Sequence, residues 1–72
     1  MTVFGADVGK TYIIQSVHTE DAELNHFLVS LGCYEGEPIT VISRRKNSCV
    51  VAIKDGRYSI DKGLAMCIAL VE

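Results

Sequence analysis

Thr19-Glu20-Asp21-Ala22-Glu23-Leu24-Asn25-His26-Phe27-Leu28-Val29-Ser30-Leu31-Gly32 is the stretch on which the reading of the whole chain turns. Leu24, Phe27, Leu28 and Leu31 fall at i, i+3, i+4 and i+7, which is one apolar face of a helix. Thr19 is placed to cap it, and Glu20, Asp21 and Glu23 set negative charge against the electropositive first turn. Gly32 supplies the left-handed residue that closes a helix.

On either side of this helix the pattern is β. Thr11-Tyr12-Ile13-Ile14-Gln15-Ser16-Val17 is rich in β-branched and aromatic residues and reads as a first strand. Residues 1–9 read as a loose lead-in. After Glu35-Gly36, Pro38 starts a second strand that continues through Ile39-Thr40-Val41-Ile42-Ser43. Arg44-Arg45-Lys46-Asn47 makes a polar turn, and Ser48-Cys49-Val50-Val51-Ala52-Ile53-Lys54 returns as a third strand. Asp55-Gly56 is a type I′ hairpin signal with positive φ at both positions, and Arg57-Tyr58-Ser59-Ile60 pairs back. Residues 61–66 fit one helical turn, and Cys67-Ile68-Ala69-Leu70-Val71 ends the chain as a strand. Five short strands bury an apolar face best by curling up, which also removes exposed edges. The expected fold is mainly β: a small SH3-like five-stranded barrel, with one α-helix after the first strand and a short helical turn before the last. Residues 1–72 read as one domain, with no repeat or linker.

Size and charge exclude much. A chain of 72 residues buries only roughly 60% of its unfolded surface, so a lone fold is marginal and a partner or weak self-association would add stability. A net charge of −2 disfavours nucleic acid, whose phosphates need a basic face. No apolar run approaches the ~20 residues that span a bilayer, so no direct membrane insertion is expected. The first residues lack the basic and long apolar regions of a signal peptide, which makes the cytoplasm the expected location. Three cysteines, Cys33, Cys49 and Cys67, sit among apolar neighbours and read as small core residues in a reducing compartment rather than as a disulfide scaffold.

Each chemical constellation falls short of a site. Gly9-Lys10-Thr11 copies the end of a phosphate-binding loop, but the required earlier glycine would stand at position 4, which is Phe4. Gly9 therefore reads as a turn. His18, His26, the three cysteines, Glu20, Asp21 and Glu23 are metal-ligand types, yet no C-x-x-C or H-x-x-x-H pair occurs. Glu23 and His26, at i and i+3, offer at most a transient divalent-metal contact. A Cys33–His26 nucleophile would place a thiolate past a helix C-terminus, where the dipole opposes it. Without Trp, and with Tyr12, Tyr34 and Tyr58 dispersed, a proline-rich-peptide groove is not expected. No enzymatic activity is expected either.

Phe27-Leu28-Val29-Ser30-Leu31-Gly32-Cys33-Tyr34-Glu35-Gly36-Glu37-Pro38-Ile39-Thr40-Val41-Ile42 resembles the signature of the FeoA family, ferrous iron transport protein A: a helix ending in Leu-Gly, an apolar residue, a Pro-Gly turn and a strand. Here Glu35 takes the place of the usual proline before Gly36. The resemblance implies a cytosolic SH3-like module accompanying a membrane ferrous-iron transporter that carries a cytosolic GTP-binding domain. It implies a regulatory or assembly role, peripheral placement at the inner membrane face through that partner, and no catalytic residues, cofactor or defined metal ligands. The expected docking residues are Cys33, Tyr34 and Glu35 at the helix end, since exposed tyrosines are frequent interface anchors, with Arg57 and Tyr58 as further candidates. The alternative is a direct ferrous-iron or transition-metal carrier or sensor, which requires His18, His26 and Cys33 to converge; short of that, only weak transition-metal binding is expected.

Overall fold

The computed structural model describes residues 1–72. Five antiparallel strands, β1 (Thr11–Val17), β2 (Pro38–Arg44), β3 (Ser48–Ile53), β4 (Gly56–Asp61) and β5 (Ile68–Leu70), form one sheet in the order β4-β3-β2-β1-β5. Helix α1 (Ala22–Leu31) connects β1 to β2, and the short α2 (Lys62–Ala65) connects β4 to β5. This is the mainly β architecture that the sequence implies.

Alternation builds the core. Tyr12 and Ile14 of β1, Ile39 and Val41 of β2, Cys49, Val51 and Ile53 of β3, and Ile68 and Leu70 of β5 all point inward, two residues apart on each strand. Register shifts between Ile14 and Ser16 in the β1–β5 pair and between Val41 and Ser43 in the β2–β3 pair bend the sheet. The curled sheet is not sealed by a β4–β5 ladder; these strands remain its two ends. Instead α2 packs against β3 and β4, while Met1 and Thr2 cover β5 through the Leu70 N–H to Met1 carbonyl bond (2.8 Å) and the Thr2–Ala69 bridge.

The first nine residues are therefore no loose lead-in. Val3 and Ala6 are fully buried around a 3-10 turn, Val3–Gly5. The Arg44 guanidinium donates to the Phe4 and Ala6 carbonyls, and the Asp7 N–H donates to the Tyr12 hydroxyl at 3.0 Å. A single turn is too short to carry a periodic signal, so its burial is invisible in the sequence. Arg44 accordingly ends β2 rather than opening the polar turn.

Two local expectations shift. Asp21, not Thr19, caps α1: its carboxylate accepts from the Glu23 and Leu24 N–H groups at 2.9 and 3.3 Å, while Thr19 accepts from the Asp21 N–H. Both residues suit the position, and the charged acceptor makes the stronger bond. In the β3–β4 hairpin the turn is Lys54-Asp55, with positive φ at Lys54 alone (51°). Gly56 serves a different purpose from the one expected. A Cβ there would collide with the Tyr58 hydroxyl and ring, which fold back over it. Gly32 does close α1 as expected, at φ 91°.

Candidate functional site

No polar or charged side chain is buried, so any chemistry this molecule performs with others must be carried by its surface. The helix is the first departure from the sequence reading. Of the stripe Leu24, Phe27, Leu28 and Leu31, only Leu28 is buried and Leu31 is half-buried. Phe27 is 49% exposed, and Leu24 and Val29 are exposed with it. The helix touches the barrel along one edge of its apolar face and turns the rest outward. Around that face lie Glu20, Asp21, Glu23 and Glu35, and residues 11–43 contain no lysine or arginine.

The loop after α1 is pinned to β1 by two bonds of 2.9 Å, from the Gly36 N–H to the Ile14 carbonyl and from the Ile14 N–H to the Glu37 carbonyl. This places Tyr34 and Glu35 at the surface but turns Cys33 inward, where it is 1% exposed. Cys33 is thus removed from the expected docking residues. Burial pushes its thiol up to about 11, which also rules out a thiolate nucleophile at neutral pH.

Lys54, which the sequence reading passed over as the end of a strand, organises this region. Its ammonium bonds the Glu37 carboxylate at 3.0 Å and stands 5.5 Å from the centre of the Tyr34 ring. Its aliphatic stem crosses Gly32 so closely that a Cβ there would meet the Lys54 Cε at 2.7 Å. The Lys54 ammonium, and after it the Tyr34 hydroxyl, hold the Glu37 carboxyl below its usual range. Glu37 in turn raises Lys54. Tyr34 is therefore a fixed aromatic platform at the end of the exposed helix face. Lys54 sits in the hairpin turn at φ 51°, and no sequence pattern announces its contact with Glu37 and Tyr34.

Arg57 and Tyr58 do not form the second half of one patch. As neighbours on β4 they point to opposite faces. Arg57 is exposed, whereas Tyr58 leans inward, half-buried against the core.

The metal-ligand types also stay apart. The His18 Nε2 atom is 2.7 Å from the Ser16 hydroxyl, Glu23 makes no ion pair with His26, and Cys49 is buried. Cys67 donates its S–H to the Gly63 carbonyl at 3.3 Å. His18, His26 and Cys33 do not converge, and no three His, Cys, Asp or Glu side chains gather as a ligand group. Gly9 is a turn residue at φ 87° whose N–H is spent on the Val41 carbonyl (2.8 Å) and so cannot cradle a phosphate. A groove of about 340 Å³ beside β1 is lined by Met1, Lys10, Tyr12, Ile13, Val71 and Glu72; the Met1 ammonium and the Glu72 carboxylate pair there at 3.3 Å, and the Lys10 ammonium stands 5.2 Å from the centre of the Tyr12 ring. No helix is long and apolar enough to cross a membrane.

A small curled five-stranded sheet with an apolar core and a half-docked helix defines an SH3-like fold. The FeoA domain family model matches residues 1–72, and the chain belongs to that family. Solved structures carry the same fold. An iron uptake regulatory protein, FeoA, superposes with a TM-score of 0.86 at 21% identity, over 97% of this chain and 93% of that one. Stenotrophomonas maltophilia FeoA complexed with zinc, described as a prokaryotic SH3 domain protein, gives 0.84 at 19% identity, over 99% and 89%. A manganese-dependent transcriptional repressor gives 0.88 at 19% identity, where this chain spans only 40% of the repressor. A search of curated proteins finds no match. The family is associated with ferrous iron transport and consists of small accessory SH3-like domains rather than a known class of enzymes.

Proposed function

We propose that this chain is a non-enzymatic accessory module of ferrous iron uptake that docks on the cytosolic, GTP-binding portion of a membrane iron transporter and regulates or assembles it. In this reading residues 1–72 work as one domain in the cytoplasm, held at the inner membrane face by that partner. The observation that carries the proposal is the outward-facing part of the apolar stripe of α1, with Leu24 and Phe27 exposed and Tyr34 fixed at the end of the helix. A helix in a 72-residue fold that withholds such side chains from its own core offers them to another surface. The acidic rim of Glu20, Asp21, Glu23 and Glu35 would favour a basic partner and speed encounter.

Co-purification of the tagged chain with the full-length transporter tests this. Leu24→Ser combined with Tyr34→Ala should abolish capture while the protein stays folded. Unchanged capture by that variant, together with loss of capture on substituting Arg57, would place the docking surface elsewhere. Stoichiometric Fe²⁺ binding by the isolated chain, lost in His26→Ala, would replace the docking reading with the carrier.

A further inference from the structure

Charge is segregated along the sequence. Six of the seven lysines and arginines fall within residues 44–62, whereas residues 11–43 hold five carboxylates and no cation. β2 leads away from the α1 end to the turn Arg45-Lys46-Asn47, and β3 returns to the α1 end at Lys54. β4 then leads back, so that Lys62 arrives beside that same turn, its N–H donating to the Asn47 carbonyl at 2.8 Å. Arg44, Arg45, Lys46 and Lys62 thus share the end of the barrel remote from the docking helix.

None of these four cations is in an ion pair. The nearest carboxylate in the chain, Asp61, is occupied as the cap of α2, accepting from the Leu64 N–H at 2.7 Å. Asp7, next to the Ala6 carbonyl that Arg44 holds, is the other carboxylate close in sequence to the cluster's contacts. Apolar surface accompanies the charge. Met66, one turn beyond Lys62 and bonded to its carbonyl (2.9 Å), is 55% exposed, and the Lys62 ammonium lies 5.4 Å from the centre of the half-buried Phe4 ring.

We infer that this end of the barrel is a peripheral contact for an anionic lipid surface, with Arg45, Lys46 and Lys62 meeting headgroup phosphates and Met66 reaching the acyl boundary, while Arg44 stays bonded to the Phe4 and Ala6 carbonyls. Unpaired cations beside a flexible exposed apolar side chain match a bilayer interface in both of its components. A polynucleotide would instead call for stacking aromatics and a more basic chain, which the composition lacks. The inference stands apart from the transporter-docking reading, since Arg45 and Lys46 follow the end of β2 away from α1 and lipid contact needs no protein partner.

Flotation of the full chain with vesicles tests it, using equimolar phosphatidylglycerol and phosphatidylcholine against phosphatidylcholine alone at low ionic strength. Binding should be confined to the anionic vesicles and fade as salt screens it. Each cation near such a surface contributes about five-fold in partitioning, so Arg45→Gln/Lys46→Gln should lower it about 25-fold. Met66→Ser should weaken it further at constant charge, and Arg57→Gln, on another face, should leave it unaltered. All four side chains changed are exposed, and unshifted melting temperatures will show that folding is intact. Equal binding to neutral vesicles, or anionic binding indifferent to Arg45→Gln/Lys46→Gln, overturns the inference. Loss of flotation in inorganic phosphate but not in sodium chloride of equal ionic strength identifies a free-phosphate site instead. Absence of flotation together with capture by polyglutamate through the same residues identifies an acidic protein partner and equally overturns it.

Discussion

Replacing Leu28 and Phe27 separately by alanine distinguishes a helix that is docked by one edge from one buried along its whole stripe. The two residues are adjacent, and both belong to the apolar face. Leu28 is 1% exposed, so Leu28→Ala removes a fully packed side chain and should cost about 2–5 kcal/mol. In a domain of this size 1 kcal/mol moves the melting temperature by about 4–8 °C, so Leu28→Ala should melt at least about 10 °C lower. Phe27 is 49% exposed. Burying a whole phenylalanine contributes about 3 kcal/mol, and roughly half of that is at stake here, ~1.5 kcal/mol. Alanine recovers ~0.5 kcal/mol of helix propensity, which leaves Phe27→Ala about 1 kcal/mol less stable. Thermal melts by circular dichroism read both values. Transporter capture should show the reverse order, with Phe27→Ala losing about thirty-fold in Kd if it is an interface anchor of ~2 kcal/mol. Equal destabilisation by the two substitutions would refute the reasoning, because it would mean that Phe27 is core.

Four further outcomes follow from the geometry. Gly32→Ala faces both a left-handed backbone and the Lys54 stem, so it should lose about 1–2 kcal/mol and return Glu37 toward the ordinary carboxylate range, read by melting and by carboxyl chemical shift against pH. Gly56→Ala should destabilise in the native background by displacing the Tyr58 ring, yet stabilise by about 0.4–1 kcal/mol in a Tyr58→Ala background, where the ring atoms nearest the Cβ are gone and the unfolded chain loses freedom; denaturant titration of the double-mutant cycle reads the change of sign. The buried Cys33 and Cys49 should resist a thiol reagent in the native state while Cys67 reacts, and three equal rates would contradict the packing. Because Cys33 is raised from 9.0 to about 11, its contribution to stability is complete below pH 9 and is lost as pH climbs toward 11; Cys33→Ala should flatten the alkaline limb of a stability–pH curve.

Much of this fold could be read directly. β1 begins and ends at the expected residues because Thr11–Val17 is rich in β-branched and aromatic residues, and the Gly32 stop marks the end of α1 by local chemistry alone. What escaped was whatever depends on where elements sit. Periodicity gives α1 an apolar face but not the angle at which the helix lies on the barrel, so Leu24 and Phe27 read as core although they are exposed. The same limit hid the burial of Val3 and Ala6, which follows from Arg44 reaching back some forty positions along the chain. At the site, Tyr34 and Glu35 were legible as exposed loop residues. Cys33 was misplaced because inward and outward directions in an irregular loop have no period. Lys54 was missed because its tie to Glu37 spans a helix–strand–hairpin fold that only the assembled sheet creates.

The most direct test follows the methyl signals of selectively labelled leucine and valine as the solubilised full-length transporter is added to the chain. Docking through the exposed helix predicts broadening or shifts concentrated at Leu24, less change at Val29 on the opposite flank of the helix, and the core methyls of Val51 and Leu70 unmoved. Perturbation confined to residues remote from α1, or none at saturating transporter, would contradict it.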